Sequence, residues 1–291
     1  MRWGVVAIIK APDTRYAGPA YVRLSPTRIN TALDCPRKFR YRYVDRLEPR
    51  GLPSMLAFGR AVHAAIAAAY ANQNAPLDSA GVADAFTRHF AVRDEQGISY
   101  KEGEDYDKLD AKGRALVACW YEQFIDEVLD AKVWSLESEL VHDIEPGLAV
   151  VGHPDVIEER DGRLYVGEHK TVASWGETNE MLVGRSIQLT AYAYLCWKHF
   201  GRLPDALYIT VLKKTKKPEA FRCYTMRSAE EVAAFEDQAG EIATLIRHYA
   251  AANTYPCNFH RDCGWCGFAP KCWGLDGADA MFAKRKEKDE R

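Results

Sequence analysis

The chain has 291 residues, 47% hydrophobic and 27% charged, a composition that supports a packed globular core and excludes a low-complexity disordered chain. Its formal net charge of −2 excludes a global basic field, so any nucleic-acid surface must be a local patch.

Taken in chain order, the apolar residues 5–9 are too few for a signal-peptide core or a membrane span, and the expectation over residues 1–24 is a short strand or ordered arm. With no targeting segment in view the expected compartment is the cytoplasm. Disulfides are rare there, so eight cysteines call for a metal-binding or a core role. Ser25-Pro26 predicts a capped helix running to about Leu33, which Cys35-Pro36 breaks. A basic-aromatic run follows, Arg37, Lys38, Phe39, Arg40, Tyr41, Arg42 and Tyr43. Residues 59–71 are Ala-rich and unbroken, which predicts a helix, and residues 78–134 predict further helices around a polar loop near 94–107, with no strand-like alternation. Beyond Trp134 the period changes. Residues 136–144, 148–158 and 163–170 predict three strands, the last two joined by a turn at Asp161-Gly162. Residues 184–200 are apolar at helical spacing, and 207–213 with 221–226 form a hairpin pattern across a Lys-rich loop. Ser228 caps an amphipathic helix to about Ala252, a Cys-rich module follows, and the charged tail 284–291 is expected to fray. Repeats and low-complexity linkers are absent, and the order of elements predicts an α/β core with a helical insertion.

Two segments carry chemistry, Gly152-His153-Pro154-Asp155 and Gly167-Glu168-His169-Lys170-Thr171. Glu168 and Lys170 stand two apart on a strand and share a face, and a tight hairpin brings Asp155 to them. Paired carboxylates hold hard divalent cations such as Mg²⁺ or Mn²⁺, and a neighbouring lysine can orient or deprotonate a water. The alternative is a surface hairpin with charged outer residues. His63 lies on the Ala-rich helix as a ligand or a structural histidine, and Gln188 and Tyr192, four apart, share a helix face that can reach a phosphate or form a plain polar edge. Cys263, Cys266 and Cys272 form C-x₂-C-x₅-C, a spacing that puts thiolates on one metal centre. Cys257 could complete a local zinc site, or Cys35 could complete the set from the other end of the chain. Cys119, Cys196 and Cys223 have the surroundings of small core residues. Arg37, Lys38, Arg40 and Arg42 suit phosphate contact, or the solvent face of an amphipathic helix; Lys213, Lys214, Lys216 and Lys217 suit a solvated turn that could also touch phosphates.

Taken together and in this order, the residues resemble the RecB-like branch of the PD-(D/E)xK nuclease superfamily: Gly59 and His63 for its GxxxH element, Gly152 and Asp155 for GxxD, Glu168 and Lys170 for ExK, Gln188 and Tyr192 for QxxxY. The opening LSPTRINTALDCPRKFRYRYV is similar to the family's N-terminal segment, and the resemblance runs from about Ser25 to Trp273. It implies an α/β fold with a restriction-endonuclease-like core, a mixed central sheet flanked by helices, in a single domain over 1–291. Within it the arm would occupy 1–24, the helical insertion 64–134, the catalytic core 135–226, and an iron–sulfur module 253–275 closing onto Cys35. Catalysis would fall to Asp155, Glu168 and Lys170, with His63, Asp155, Glu168 and the His169 carbonyl holding Mg²⁺ or Mn²⁺. Gln188, Tyr192, Arg37, Lys38 and Arg40 would hold DNA. In the iron–sulfur members of this branch (AddB-type subunits, exonuclease V and CRISPR-associated RecB-like nucleases) one cysteine precedes the core and three follow it. That layout implies a 4Fe-4S cluster on Cys35, Cys263, Cys266 and Cys272, with Cys257 as an extra. The implied activity is a metal-dependent exonuclease on DNA, single-stranded by preference, in recombination, repair or CRISPR spacer acquisition. Its partner would be a helicase, recombinase or CRISPR integrase, and no membrane is involved. The alternative is a non-catalytic or partner-dependent DNA-binding scaffold with a structural metal cluster.

Overall fold

The computed structural model describes residues 21–95, 97–259 and 261–285; the expected arm up to residue 20 and the tail from 286 lie outside the described residues. Strand β1 (Val22–Leu24) leads into α1 (Pro26–Asp34), whose first turn is closed by the Ser25 hydroxyl accepting the Arg28 N–H, with Pro26 supplying a pre-set φ. Cys35 ends this helix in extended conformation. Pro36 starts α2 (Pro36–Phe39), which continues as a π-helical turn over Arg40–Val44. Two short strands, β2 (Leu47–Pro49) and β3 (Leu52–Pro53), precede the helical layer: α3 (Ser54–Ala71), α4 (Ser79–Glu95), the two-residue β4 (Ile98–Ser99), and α5 (Tyr106–Asp130).

The sheet region departs from its predicted boundaries. The predicted strand 136–144 is two strands, β5 (Lys132–Leu136) and β6 (Leu140–Glu145), separated where Glu137 turns the chain at φ 49. The predicted strand 148–158 is also two, β7 (Leu148–Gly152) and β8 (Val156–Arg160), interrupted at His153-Pro154-Asp155. Pro154 has no N–H to give a ladder, so the chain leaves one sheet here and enters another. Within the expected helical insertion 64–134 lie the short β4 and the start of β5 at Lys132, and the helix that leads into it begins earlier, at Ser54. β9 (Arg163–Val172) follows β8 through Asp161 (φ 49) and Gly162 (φ 74), the paired positive φ values that suit a two-residue hairpin turn. Then come α6 (Glu177–Val183), α7 (Ile187–Phe200), β10 (Ala206–Lys213), β11 (Glu219–Thr225), α8 (Ala229–Ala251) with its Ser228/Glu231 capping box, α9 (Ala269–Cys272) and β12 (Phe282–Lys284).

Five strands form the main sheet in the order β11-β10-β9-β8-β5, with β9 and β10 parallel and the other pairs antiparallel; β1-β7-β6 form a second, three-stranded sheet. The parallel pair requires a crossover, which α6 and α7 supply. One face of the main sheet, carrying Leu164, Val166, Ile209 and Val211, packs with the second sheet, α1, α7 and α8. The other face, carrying Val156, Tyr208 and Leu212, is covered by α3, α4 and α5 around Phe58, Phe86 and Trp120. The result is a mixed α/β fold in which the inserted helices are a full layer. β12 pairs with β2, so the C-terminal segment returns to the neighbourhood of α2.

Candidate active site

The site forms where β8 begins. Val156 pairs with Gly167, and beyond that point β9 has no neighbour on this side, so Asp155 stands beside Glu168 at an opening in the sheet. Glu137, at the end of β5, donates its backbone N–H to the Asp155 carbonyl at 3.0 Å. Helix α3 brings His63 to the same place from the inserted layer. His63 Nδ1 lies 3.1 Å from Asp155 Oδ1 and 3.9 Å from Glu137 Oε1. Asp155 Oδ2 accepts the His169 backbone N–H at 2.5 Å.

On the α7 side, Glu168 Oε1 accepts from Lys170 Nζ at 3.1 Å and from Gln188 Nε2 at 2.8 Å, while Lys170 also donates to Gln188 Oε1 at 2.9 Å. Gln188 Nε2 donates to the Tyr192 hydroxyl at 2.9 Å, and that hydroxyl donates to the His153 carbonyl at 3.0 Å. Tyr192 is buried and its hydroxyl is committed to this loop carbonyl. It therefore fixes Gln188 and the approach to Asp155 from within, where the sequence pattern suggested a contact with DNA. Gly152 permits this packing, because a Cβ there would come within 2.7 Å of Leu195 and 2.9 Å of Tyr192. On the opposite sheet face the Tyr208 ring crosses over Gly167, where a Cβ would stand 2.4 Å away, to donate to Glu158 at 2.7 Å.

The charges are arranged for a cation. Burial, then the charge of Asp155, pushes both Glu137 and Glu168 up to about 7. Burial would depress His63, but its hydrogen bond to Asp155 and the nearby carboxylates outweigh this and raise it to about 9. Asp155, buried, is held below its ordinary value by His63 and the His169 N–H. One oxygen of Glu168, Oε2, is buried without a hydrogen-bond partner. Three carboxylates, one of them with a buried oxygen lacking a partner, and an imidazole make a donor set that fits Mg²⁺ or Mn²⁺, and His63, Glu137 and Asp155 present ligand atoms within 4.8 Å of one another. The His169 side chain points to the other sheet face, where burial pushes its imidazole down to about 3 and its ring meets that of His63 edge-on at 5.9 Å.

Sequence reasoning missed Glu137. Its signal was the polar Glu137-Ser138-Glu139 run, a poor strand interior between two apolar-alternating stretches. Glu139 is paired with Arg23 at 2.9 Å and with His153 at 3.2 Å, which pins the loop before Asp155.

The basic run lies apart from the carboxylates, against the C-terminal module. Arg37 Nε donates to the Tyr255 carbonyl at 2.8 Å. Arg40 pairs with Asp45 at 3.4 Å and covers the Tyr255 ring. Phe39 and Tyr41 are buried, so the run is amphipathic with aromatics inward. Lys38 and Arg37 line a cavity with Cys35, Cys257, Cys263, Cys266 and Cys272. Five thiols at one cavity form a donor set that fits an iron–sulfur cluster or zinc. Cys196 is buried in α7; Cys119 and Cys223 are half-buried on α5 and β11, outside that cavity. Lys213 pairs with Glu219, and Lys214 is half-buried over Phe58, so the Lys-rich loop is partly tied down.

Among the described residues no helix is long and apolar enough to cross a membrane. The sequence profile of the PD-(D/E)XK nuclease superfamily matches residues 23–273. A solved structure from Eubacterium rectale, provisionally described as an exonuclease, is similar in fold over 89% of this chain and 90% of its own, at 11% identity and a TM-score of 0.51. The solved structure of SSO0001 is 13% identical over 85% of this chain and 83% of its own, with a TM-score of 0.37. No curated protein matches the sequence.

Proposed function

Because the chain belongs to the PD-(D/E)XK nuclease superfamily, we propose that it is a metal-dependent exonuclease that hydrolyses phosphodiester bonds of DNA, single-stranded by preference. The observation that carries this reading is the convergence of Asp155, Glu168 and Lys170 at the open edge of β9, with His63 and Glu137 beside them. His63, Asp155, Glu168 and the His169 carbonyl would hold Mg²⁺ or Mn²⁺, with Glu137 as an added carboxylate. Such an ion, when bound, neutralises charge on the phosphoryl oxygens and lowers the pKa of a water.

The chain's own residues do the rest. Lys170, held between Glu168 and Gln188, orients the attacking water and meets the developing negative charge on the phosphoryl group. Water attacks phosphorus in line, one P–O bond forming as the opposite one breaks. Gln188 bonds both Lys170 and Glu168 in one network, and Tyr192 fixes Gln188. Arg37, Lys38 and Arg40 serve the DNA strand from the cysteine end of the molecule. We propose a 4Fe-4S cluster for the cysteine cavity, supported by thiols from both ends of the chain at one place. Work on DNA ends in recombination, repair or spacer acquisition, beside a separate helicase, recombinase or integrase, fits this reading.

The test is cleavage of end-labelled single-stranded DNA by anaerobically purified protein with Mg²⁺, Mn²⁺ or EDTA, beside Asp155→Ala. Metal-dependent cleavage should appear and fall at least about a thousandfold in the variant, a loss of roughly 4 kcal/mol of transition-state stabilisation. Absence of cleavage by protein with its metals in place would favour the scaffold alternative.

A further inference from the structure

Cys257 falls outside the three-cysteine C-terminal spacing, yet it lines the same cavity as the other four thiols. It sits in the extended segment after α8, bracketed by bonds to the region of Cys35. The Arg37 N–H donates to the Pro256 carbonyl at 3.1 Å, Arg37 Nε to the Tyr255 carbonyl at 2.8 Å, and Asn258 Nδ2 to the Asp34 carbonyl at 2.7 Å. Its Sγ lies 3.6 Å from Cys272 Sγ. Two sulfurs this close are in van der Waals contact. Thiolates bound to different irons of a cluster must stand apart, because each takes its own corner. Cys257 and Cys272 therefore cannot both occupy separate corners as they stand, while Cys35, Cys263 and Cys266 line the same cavity.

We propose that Cys257 and Cys272 are alternative ligands for one corner of the cluster, the remaining corners belonging to Cys35, Cys263 and Cys266. This rests on the iron–sulfur reading of the cavity. Whichever thiol binds gives up its proton to solvent and forms one iron–sulfur bond, and the other remains a thiol against it. Losing either one alone leaves a complete set.

Wild type, Cys257→Ser, Cys272→Ser, the double variant and Cys266→Ser would be purified anaerobically as full chains. Iron, acid-labile sulfide and zinc would be measured per chain, with the visible absorption of the cluster and the far-ultraviolet circular dichroism. Both single variants should keep wild-type iron and sulfide, and the double variant should lose them as completely as Cys266→Ser, with matching dichroism between those two. Loss in Cys272→Ser alone, or in Cys257→Ser alone, would make that residue the sole ligand and overturn the proposal. Loss in both single variants, or retention in the double variant, would overturn it as well. Zinc without iron and sulfide in the wild type would instead remove the cluster reading beneath it, which the same samples distinguish.

Discussion

Asp155 organises the site at the scale of single residues, one oxygen taking the His169 N–H and the other facing His63. Burial first, and then the charge of Asp155, hold Glu137 and Glu168 near 7, and a bound cation would relieve both. Replacing Glu137 by Ala should raise the Mg²⁺ concentration for half-maximal cleavage by about 10–100-fold, the usual cost of losing a partner around a metal site. An unchanged Mg²⁺ requirement would remove Glu137 from the site. The same groups set a pH dependence. Glu137 and Glu168 bind protons more tightly folded than unfolded, so they favour the fold below their ordinary 4.5, and that contribution is lost as pH rises to about 7. His63, raised to about 9, contributes fully below its ordinary 6.5 and loses that contribution as pH rises through 9. Asp155, held low, gains its contribution only as pH rises above its ordinary 3.8 and so acts at the acid end. The melting temperature of metal-free protein should fall between about pH 5 and 9, and Mg²⁺ should restore more of it at the upper end, since the ion competes with those protons. Equal stabilisation by Mg²⁺ at both ends would contradict this.

At the scale of elements, the break between β7 and β8 does the positioning. β7 belongs to the small sheet and β8 to the large one, and the three residues between them deliver Asp155 to the uncovered end of β9. Helix α7 closes the other side because Gly152 lets Tyr192 and Leu195 come into contact with β7. Gly152→Ala should cost about 1–3 kcal/mol in urea-induced unfolding, the usual penalty for overpacking, and should lower cleavage because Tyr192 carries Gln188 with it. Wild-type stability and activity in this variant would mean that α7 yields freely. The helices were legible because their ends carry local chemistry, as at Ser25-Pro26 and at Ser228 with Glu231. The strand breaks were not, because the residues flanking each break are strand-like whichever sheet they join.

For the whole molecule, the groups proposed for the site are gathered from both layers of helices: His63 arrives on α3 from one face of the sheet, and Gln188 arrives on α7 from the other. The two ends of the chain meet at the cysteine cavity and again where β12 pairs with β2. If a cluster joins those ends, Cys266→Ser should speed proteolysis in the segment 254–259, about tenfold for each 1.4 kcal/mol of local opening free energy lost. Limited digestion with mass mapping reads this directly, and an unchanged cleavage rate there would mean that hydrogen bonds alone hold the ends.

The sequence by itself made legible the long helices, the hairpin around Asp161-Gly162, and the candidate set Asp155, Glu168, Lys170 and His63, because periodicity, capping and fixed spacing along one strand are local properties. Only the tertiary structure decided that Glu137 joins them, that Tyr192 acts from a buried position, and that Cys257 stands in contact with Cys272. Each of these depends on where distant segments meet: the junction of two sheets, the face on which α7 packs, and the return of the C-terminal module to Cys35. Those meetings are set by burial summed over the whole core, which no short stretch of sequence carries.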